Sequence, residues 1–578
     1  MALLLIVFPA ILAGLALIVN SNRMRPWLLP VAATGHLAGV LALLATPEAA
    51  RWDLGLWLAP DAPGRLVLLL LSALFNICGW YSVGYLRNRA ERPNRVFCAC
   101  VLALLTTTSL VACSQHLGVM WVAIEGSTLA TAPLIYFNRT PRSIEATWKY
   151  LLIGSVGVAL SLLGSFFLAY SAVGRGPEPT LFMDELIKQA SEAPGLSLPW
   201  LQAAFVLLLV GYGTKMGLAP MHSWKPDAYG EAPGVVGALL AGGLTSCAFL
   251  ILARVHHVCS VAGIGAYVDR TLVFMGLFSM AVAGVFMVNQ KDFKRMLAYS
   301  SVEHMGILAL GLGLGGAALF GALLHMVNNG ITKGVLFLSA GNIHRAYGDK
   351  TTDVVKGAMR RLPLSGTLFL LGFFAVTGSP PFGPFISEFT ILNGAFTGQQ
   401  ASIVVGENTA IWLDGAPAKA ADLKAGLWAM AVGRDGEPAR EIQCYTRKPS
   451  AETQHAATAA LAREPAPSAG TADGVTGGTI VRMSEGRLTL QTRERSIAAA
   501  VLFLVFLLVV FLGMGRTVLA VVQGRAPAAA RRTAYRDGLL TGLPILVSAG
   551  FILLMGVYIP APLNAMLHEA AKFLEVRP

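Results

Sequence analysis

Charge is what this chain has least of. Of its 578 residues only 13% are Asp, Glu, Lys or Arg, while hydrophobic types reach 55% and the mean hydropathy is +0.62. Soluble domains carry about 25% charged residues, so three or four water-facing domains, the usual expectation for this length, are ruled out. Any Cys-x-x-C pair is also missing. The seven cysteines (Cys78, Cys98, Cys100, Cys113, Cys247, Cys259 and Cys444) are scattered, and six lie in or beside apolar runs, where cysteine acts as a small core residue. No iron–sulfur or haem attachment motif is present, and no pair among His222, His256, His257 and His344, which lie near span ends, has the context of a metal site. The chain is therefore assigned no metal ligand and no cofactor of its own. The net charge of +12 comes from basic residues placed singly between apolar runs. Nucleic acid needs a clustered basic stripe with interleaved aromatics, so it is not a partner. What remains is an integral membrane protein in contact with the lipid bilayer.

A spanning helix needs about 20 mostly apolar residues. Fourteen are predicted: 2–19, 27–46, 65–87, 95–114, 117–137, 146–171, 200–219, 232–254, 268–289, 295–315, 317–341, 363–397, 496–516 and 538–559. No basic stretch precedes the first, which therefore reads as a span and not a signal peptide. Almost every strongly basic loop follows an odd-numbered span, from Arg23 and Arg25 after the first to Arg516, Arg525, Arg531, Arg532 and Arg536 after the thirteenth. The loop after span 6 is acidic, with Asp184, Glu185 and Glu192. The positive-inside rule then puts both termini on the periplasmic side of a bacterial cytoplasmic (inner) membrane.

One stretch departs from this. Residues 401–495 hold eleven basic and eleven acidic residues, against 54 charged residues in the other 483. Ser402–Asp414 and Leu427–Cys444 have β-prone runs with turn signals at Asp414-Gly415 and Asp435-Gly436, and 479–492 reads as a further strand pair. Residues 450–478, rich in Ala, Pro, Gly and Thr, read as a flexible linker. The expectation is a small β-rich soluble insertion over 398–495, on the periplasmic side.

Two spans are interrupted. Span 7 ends in Gly211-Tyr-Gly-Thr-Lys215-Met-Gly-Leu-Ala-Pro220, and span 12 contains Thr377-Gly378-Ser-Pro380-Pro381-Phe-Gly383. Each is the fourth element of a five-helix unit, spans 4–8 and 9–13, the pattern of inverted repeats with broken helices at the membrane centre. Proline removes backbone hydrogen bonds, which is tolerated at membrane depth only where protein or water covers the gap. Ionisable side chains collect around these breaks: Glu125 in span 5, Lys215 before the first break, Glu303 and His304 in span 10, and Glu388 after the second. His325, Asn329 and Lys333 recur at i, i+4 and i+8, lining one face of span 11. Charge inside a membrane is costly and marks function by default, and burial disfavours the charged form of acids and bases alike. The competing reading is that each pair only glues helices together. Glu145 and Lys149, four apart at the start of span 6, stand evenly between relay and interfacial salt pair.

The wording of these segments is specific. Trp121-x-x-x-Glu125, Lys215 followed by Trp224-Lys-Pro-Asp227-Ala, Lys294-Arg-Met-Leu-Ala-Tyr-Ser-Ser-Val-Glu-His-Met-Gly306, Leu324-His-Met-Val-Asn-Asn-Gly-Ile-Thr-Lys333 and Pro380-Pro-Phe-Gly-Pro-Phe-Ile-Ser-Glu-Phe389 resemble the antiporter-like membrane subunits shared by complex I, Mrp antiporters and energy-converting nickel–iron hydrogenases. The hydrogenase and formate hydrogenlyase branch is the most similar. The resemblance covers 1–397 and 496–560. It implies a proton relay of Glu125, Lys215, His325, Lys333 and Glu388, with Lys149 also matching a family lysine. Glu145, Glu303, His304, Asn329 and Ser246 are further relay or tuning candidates. Two departures stand out: Asn329 replaces a histidine of many relatives, and span 8 lacks the relay lysine some relatives have, with Ser246 and Cys247 its nearest polar side chains.

The expected fold is an all-α polytopic bundle of about 14 helices with two inverted five-helix repeats and broken helices 7 and 12. It divides into 1–94 (spans 1–3), 95–254 (first repeat), 268–397 (first part of the second repeat), the insertion at 398–495, and 496–578 (spans 13–14 and a short tail). The expected function is proton translocation as the membrane subunit of a redox-driven complex of the hydrogenase or NADH:quinone oxidoreductase kind. Nickel–iron, iron–sulfur, flavin or quinone would then sit in partner subunits, peripheral iron–sulfur or hydrogenase-like ones and other membrane subunits. The alternatives are an Mrp-like sodium/proton antiporter subunit and a scaffold that no longer pumps.

Overall fold

A computed structural model describes residues 2–45, 57–89, 92–174, 178–192, 195–405, 409–419, 422–424, 427–433, 439, 441–446, 474–484, 487–493, 496–525 and 534–575. The helices are α1 (Ala2–Ile18), α2 (Leu28–Ala45), α3 (Ala62–Arg87), α4 (Arg95–Cys113), α5 (Leu117–Ile135), α6 (Pro141–Tyr170), α7 (Met183–Ser191), α8 (Leu198–Met216), α9 (Trp224–Glu231), α10 (Gly234–Ala238), α11 (Thr245–Val261), α12 (Gly265–Met287), α13 (Phe293–Leu314), α14 (Ala317–Tyr347), α15 (Ala358–Arg361), α16 (Pro363–Val376), α17 (Gly383–Thr397), α18 (Ile497–Val522), α19 (Leu539–Val557) and α20 (Ala561–Leu574). A π-helical segment, Leu239–Leu244, joins α10 to α11, making one continuous helix over Gly234–Val261. Among the described residues ten helices are long and apolar enough to cross a membrane. This is a mostly helical, multi-pass integral membrane protein.

Local chemistry explains several boundaries that hydropathy misplaces. α6 starts at Pro141, ahead of the expected 146, because Thr140 and Ser143 form a reciprocal capping box over a proline at the first helical position. α13 starts under Asp292, whose carboxylate accepts from the amides of Lys294 and Arg295 at 2.9 and 3.1 Å. α11 and α14 run six or seven residues past the expected ends of spans 8 and 11, since polar residues there are buried against neighbouring helices. α7, α9, α15 and α20 are too short or too polar to register as spans.

The helices sort into two environments. Gly234–Val261 and α13 are buried along nearly their whole length, and α14 forms part of the same interior. α1, α6, α12, α18 and α19 expose apolar side chains such as Ile18, Leu152, Val285, Leu508 and Val547. An outer ring of this kind suits lipid and would not survive in water.

One buried ion pair clamps the central helix. Arg254 of α11 makes two hydrogen bonds to Asp61, at 2.9 and 2.7 Å, and caps the carbonyls of Val111, Ala112 and Ser114 at the end of α4. Asp61 also caps α3 through Gly64 N. Asp61→Ala would leave the guanidinium buried without its counter-charge, at a cost of about 3–5 kcal/mol. A clear drop in the thermal unfolding temperature of the solubilised protein is the expected result, with Asp61→Asn intermediate.

Between α17 and α18 the described residues form a seven-stranded sheet. Its strands are β1 (Gln399–Val404), β2 (Ala410–Leu413), β3 (Ala416–Pro417), β4 (Trp428–Gly433), β5 (Glu441–Tyr445), β6 (Gly474–Ser484) and β7 (Arg487–Arg493), in the order β1-β7-β6-β4-β5-β2-β3. All pairs are antiparallel except β2 with β5. The Asp414-Gly415 signal is the β2–β3 turn, both residues having positive φ. Asp435-Gly436 and residues 450–473 lie outside the described residues. Residues 474–478, which composition marks as linker, are strand: their backbone pairs with β4, Thr476 opposite Ala431 and Gly478 opposite Ala429. Ladder hydrogen bonds override the weak β-propensity of glycine there. Ile411, Ala429, Ala431, Ile442, Cys444 and Ile480 form the small core.

Candidate functional site

The first node joins α5, α6 and α8. Half-buried Glu125 lies one turn below Thr128, whose hydroxyl donates to the carboxylate at 3.3 Å. Lys215 Nζ donates to the same hydroxyl at 2.5 Å and to the Tyr150 hydroxyl at 2.9 Å, and it sits 4.7 Å from the Tyr150 ring centre. Glu125 and Lys215 are thus linked through a hydroxyl, not in direct ion-pair contact.

The second node joins α13, α14 and α17. Lys333 Nζ donates to Ser300 Oγ at 2.7 Å. His304 and His325 share a hydrogen bond of 2.9 Å, Nδ1 to Nε2, and His325 Nδ1 meets Ser387 Oγ at 2.9 Å, next to Glu388. Asn329 stands between His325 and Lys333 on α14. Among the described residues Glu303 Oε2, His304 Nε2, Asn328 Oδ1, Asn329 Oδ1 and Glu388 Oε1 are buried without a hydrogen-bond partner. Buried polar atoms left this way are expensive unless water or an ion meets them.

Between the nodes lies a residue that sequence patterning does not single out. Lys225, in the short helix α9, is fully buried. Its Nζ donates to Met216 O at 2.7 Å, the residue after Lys215, and lies 3.4 Å from Ser301 O, the residue after Ser300. It therefore touches the backbone next to Lys215 on one side and next to Ser300 on the other. Ser246, the candidate in span 8, donates to Gly242 O within its own helix. Lys294, which reads as a loop charge in the sequence, is also buried, its Nζ on the carbonyls of Gly230 and Ala232 at 2.9 and 2.6 Å. The available signal for Lys225 was its place between Trp224 and Tyr229 just after a break; both aromatics are buried.

Lys215, Lys225, Lys294 and Lys333 are each at most 1% exposed, and none forms an ion pair among the described residues. A lysine kept for structure is normally buried with a carboxylate. These four rest on neutral oxygens, from which a proton can leave without breaking an ion pair.

The two breaks share a device. α8 is capped at its end by Gly217, φ +82°, and α16 is followed by Gly378, φ +62°. The peptide bonds Ala219–Pro220 and Pro380–Pro381 are cis. A Cβ on Gly217 would stand 2.6 Å from Lys225 Cδ, and one on Gly378 would collide with the Glu388 carboxylate. Each glycine thus supplies both the left-handed turn and the space that lets a buried charged side chain fold back over the break. Gly383 starts α17 under the second break, where a Cβ would meet Asn328.

Glu145 and Lys149 lie apart from the nodes. Lys149 pairs with Glu145 at 2.6 Å and with Asp227 at 2.9 Å, and Asp227 pairs with Arg295 at 2.7 Å. The chain of charges lines a polar cavity of about 400 Å³ with Glu231, Asp292 and Lys350.

As for a metal, one donor atom each from His304, His325 and Glu388 lies within 4.8 Å of the others, so this trio could hold a divalent cation. Ligands of a tetrahedral zinc ion stand roughly 3.3 Å apart, given bonds near 2.0–2.1 Å. The two ring nitrogens are at 2.9 Å, the spacing of a shared proton.

A lipid-facing helical bundle with a buried file of lysines, acids and imidazoles across its centre defines an ion-translocating type of membrane subunit. Residues 114–412 match the family described as NADH:quinone oxidoreductase/Mrp antiporter, transmembrane, and the chain belongs to it. The hydrogenase-4 component F homolog of Methylacidiphilum infernorum is 33% identical over 401 residues, 68% of this chain and 83% of that one. NADH-quinone oxidoreductase subunit N of Desulforudis audaxviator is 32% identical over 345 residues, 59% and 67%. The fold is shared with a chain of the archaeal membrane-bound sulfane sulfur reductase, with a TM-score of 0.70 at 18% identity over 99% and 97% of the two chains. The protein is an antiporter-like membrane subunit of the complex I, hydrogenase and Mrp family, a class whose members work with other membrane subunits.

Proposed function

We propose that the chain carries protons through the file Glu125–Lys215–Lys225–Lys333–His325–Glu388, with Glu303, His304 and Asn329 tuning the second node, in a redox-driven complex of the hydrogenase kind. The observation that carries this reading is the set of buried lysines that form no ion pair among the described residues, strung between two nodes of hydroxyls, acids and imidazoles. Lysine and imidazole transfer protons by hydrogen-bond hops over about 2.6–3.2 Å or through one water, and the unpartnered atoms of the second node favour water there. Redox centres belong to partner subunits in this reading. Lys149, Glu145, Asp227 and their cavity form the aqueous mouth toward Lys215.

Four segments complete fourteen crossings beyond the ten long apolar helices: α1, α8, α14 and the broken pair α16–α17. Both termini lie outside. The repeats are 95–254 and 268–397 with α18, preceded by 1–94 and followed by the rest of 496–578. In their support, the second helix of each repeat carries a mid-helix glutamate, Glu125 and Glu303, and the fourth is broken at a positive-φ glycine.

The segment 398–495 is read as a soluble domain facing the periplasm of an inner membrane, where it docks an extracytoplasmic partner. Replacing 399–494 with a short Gly/Ser linker is expected to lose a subunit from the purified complex. Unchanged composition and activity would remove the docking role.

Glu388→Gln keeps the shape and hydrogen-bonding capacity of the side chain but cannot release a proton. Pumping in inverted vesicles is expected to fall about tenfold or more, with complex assembly unchanged. Lost assembly with normal pumping per assembled complex would make Glu388 a structural acid. A sodium-coupled reading draws on the unpartnered oxygens of Glu303, Asn328, Asn329 and Glu388, hard donors suited to that ion. It predicts activity that depends on sodium concentration.

A further inference from the structure

A second polar cavity, of about 600 Å³, lies away from the relay, where the end of α3, the α5–α6 turn, the start of α10 and the end of α14 meet Tyr535. Arg89, Arg92 and Arg345 all line it, and no carboxylate does so among the described residues. The arginines are held in place from behind. Arg89 donates to Asn138 Oδ1 at 2.7 Å and Arg92 to Phe137 O at 2.9 Å, while Arg345 donates to the backbone carbonyls of Tyr85 and Asn88. Arg89 stacks on Tyr85 and Arg345 on Tyr535, with guanidinium carbons 5.4 and 5.1 Å from the ring centres.

Each guanidinium carries five N–H donors, and these bonds use only one or two of each among the described partners. Three like charges fixed around one cavity repel each other unless an anion lies between them. A planar guanidinium fork matches the oxygens of a phosphate in a way a lone lysine does not. The volume falls within the roughly 300–1,000 Å³ of ligand pockets. It is too large for a single ordered water, whose share of liquid is about 30 Å³.

We infer that this cavity is a binding site for a phosphate group, gripped by Arg89, Arg92 and Arg345, that ties the ends of α3 and α14 to the turn between α5 and α6. The group is either the headgroup of an anionic phospholipid or free phosphate. Because α14 carries His325 and Lys333, the bound phosphate fixes the position of the relay helix without taking part in proton transfer.

The test uses the intact purified complex. Native mass spectrometry counts anionic phospholipids, and equilibrium dialysis against radiolabelled inorganic phosphate counts the free ion. The wild-type complex is expected to hold at least one equivalent of one of them, and Arg89→Gln/Arg345→Gln is expected to weaken it about tenfold or more. Lys291→Gln, an exposed lysine paired with Asp353 outside the cavity, should leave the count unchanged. Loss of one phospholipid in the double variant assigns the site to a headgroup; loss of phosphate alone assigns it to the soluble ion. If the double variant does not assemble, Arg89→Lys and Arg345→Lys keep the charge but lose the fork, and each should bind several-fold more weakly. A wild-type complex holding neither ligand, or variants binding both as wild type does, would overturn the inference.

Discussion

In inverted membrane vesicles containing the intact complex, Lys215→Ala is expected to bring coupled proton movement to the background level, a loss of roughly 100-fold. The helices should stay inserted and the complex assembled. Lys215 Nζ is the only group among the described residues that holds the hydroxyls of both Thr128 and Tyr150. Methyl replacement removes the proton carrier and the ammonium that is linked to Glu125 through Thr128. Glu125→Ala is expected to match it, since among the described residues the Glu125 carboxylate is linked to Lys215 through Thr128. Thr128→Val breaks that bridge while keeping the volume, and an intermediate loss is expected. Dye quenching driven by the electron donor measures each variant. Normal pumping by either alanine variant would mean the first node is structural.

The second large effect is expected at Lys225. Lys225→Met keeps the length and apolar stem of the side chain but removes its only proton-carrying group, between Met216 O and Ser301 O. Pumping should fall at least about tenfold with normal assembly. Lys225→Arg separates two roles. Arginine keeps the charge and the hydrogen bonds but does not deprotonate in proteins, so it should fail as a relay and succeed as a fixed charge. Pumping restored by arginine would make Lys225 a positioning residue, and the two nodes would need another connection. Crowding of Lys225 against Gly217 makes fluorescence-detected assembly a necessary companion measurement for both variants.

How much of the site is legible in the sequence can be seen at single residues. Lys215, Lys333 and Glu388 stand out because a charge inside a long apolar run is costly in a bilayer and is kept only where it serves a purpose. His325, Asn329 and Lys333 share a face by helical periodicity alone. Hydropathy also places the long spans to within a few residues where nothing but burial ends them. It fails where a cap sets the boundary, as at Thr140, which starts α6 five residues ahead of the expected position.

Lys225 and Lys294 escape notice for a different reason. Both sit beside a span, where a lysine ordinarily marks a loop, and only the fold of α9 into the bundle buries them. Thr128, Tyr150, Ser300 and Ser387 carry no signal of their own, since hydroxyls are common in membrane helices and the lysines and histidine they meet lie tens of residues away. The clamp of Asp61 on Arg254 spans 193 residues, a pairing that periodicity cannot express. Glycine-rich 474–478 is strand for a similar reason, its backbone partner being β4.

Proton transfer by this subunit is tested most directly with the purified complex in sealed proteoliposomes. An internal pH dye records the response while electron donor is supplied, with sodium present or rigorously removed. A pH change that persists without sodium, collapses with a protonophore and disappears in Lys215→Ala is the expected result. A response that needs sodium and survives the protonophore, or that is unchanged in Lys215→Ala, would contradict proton carriage through this file.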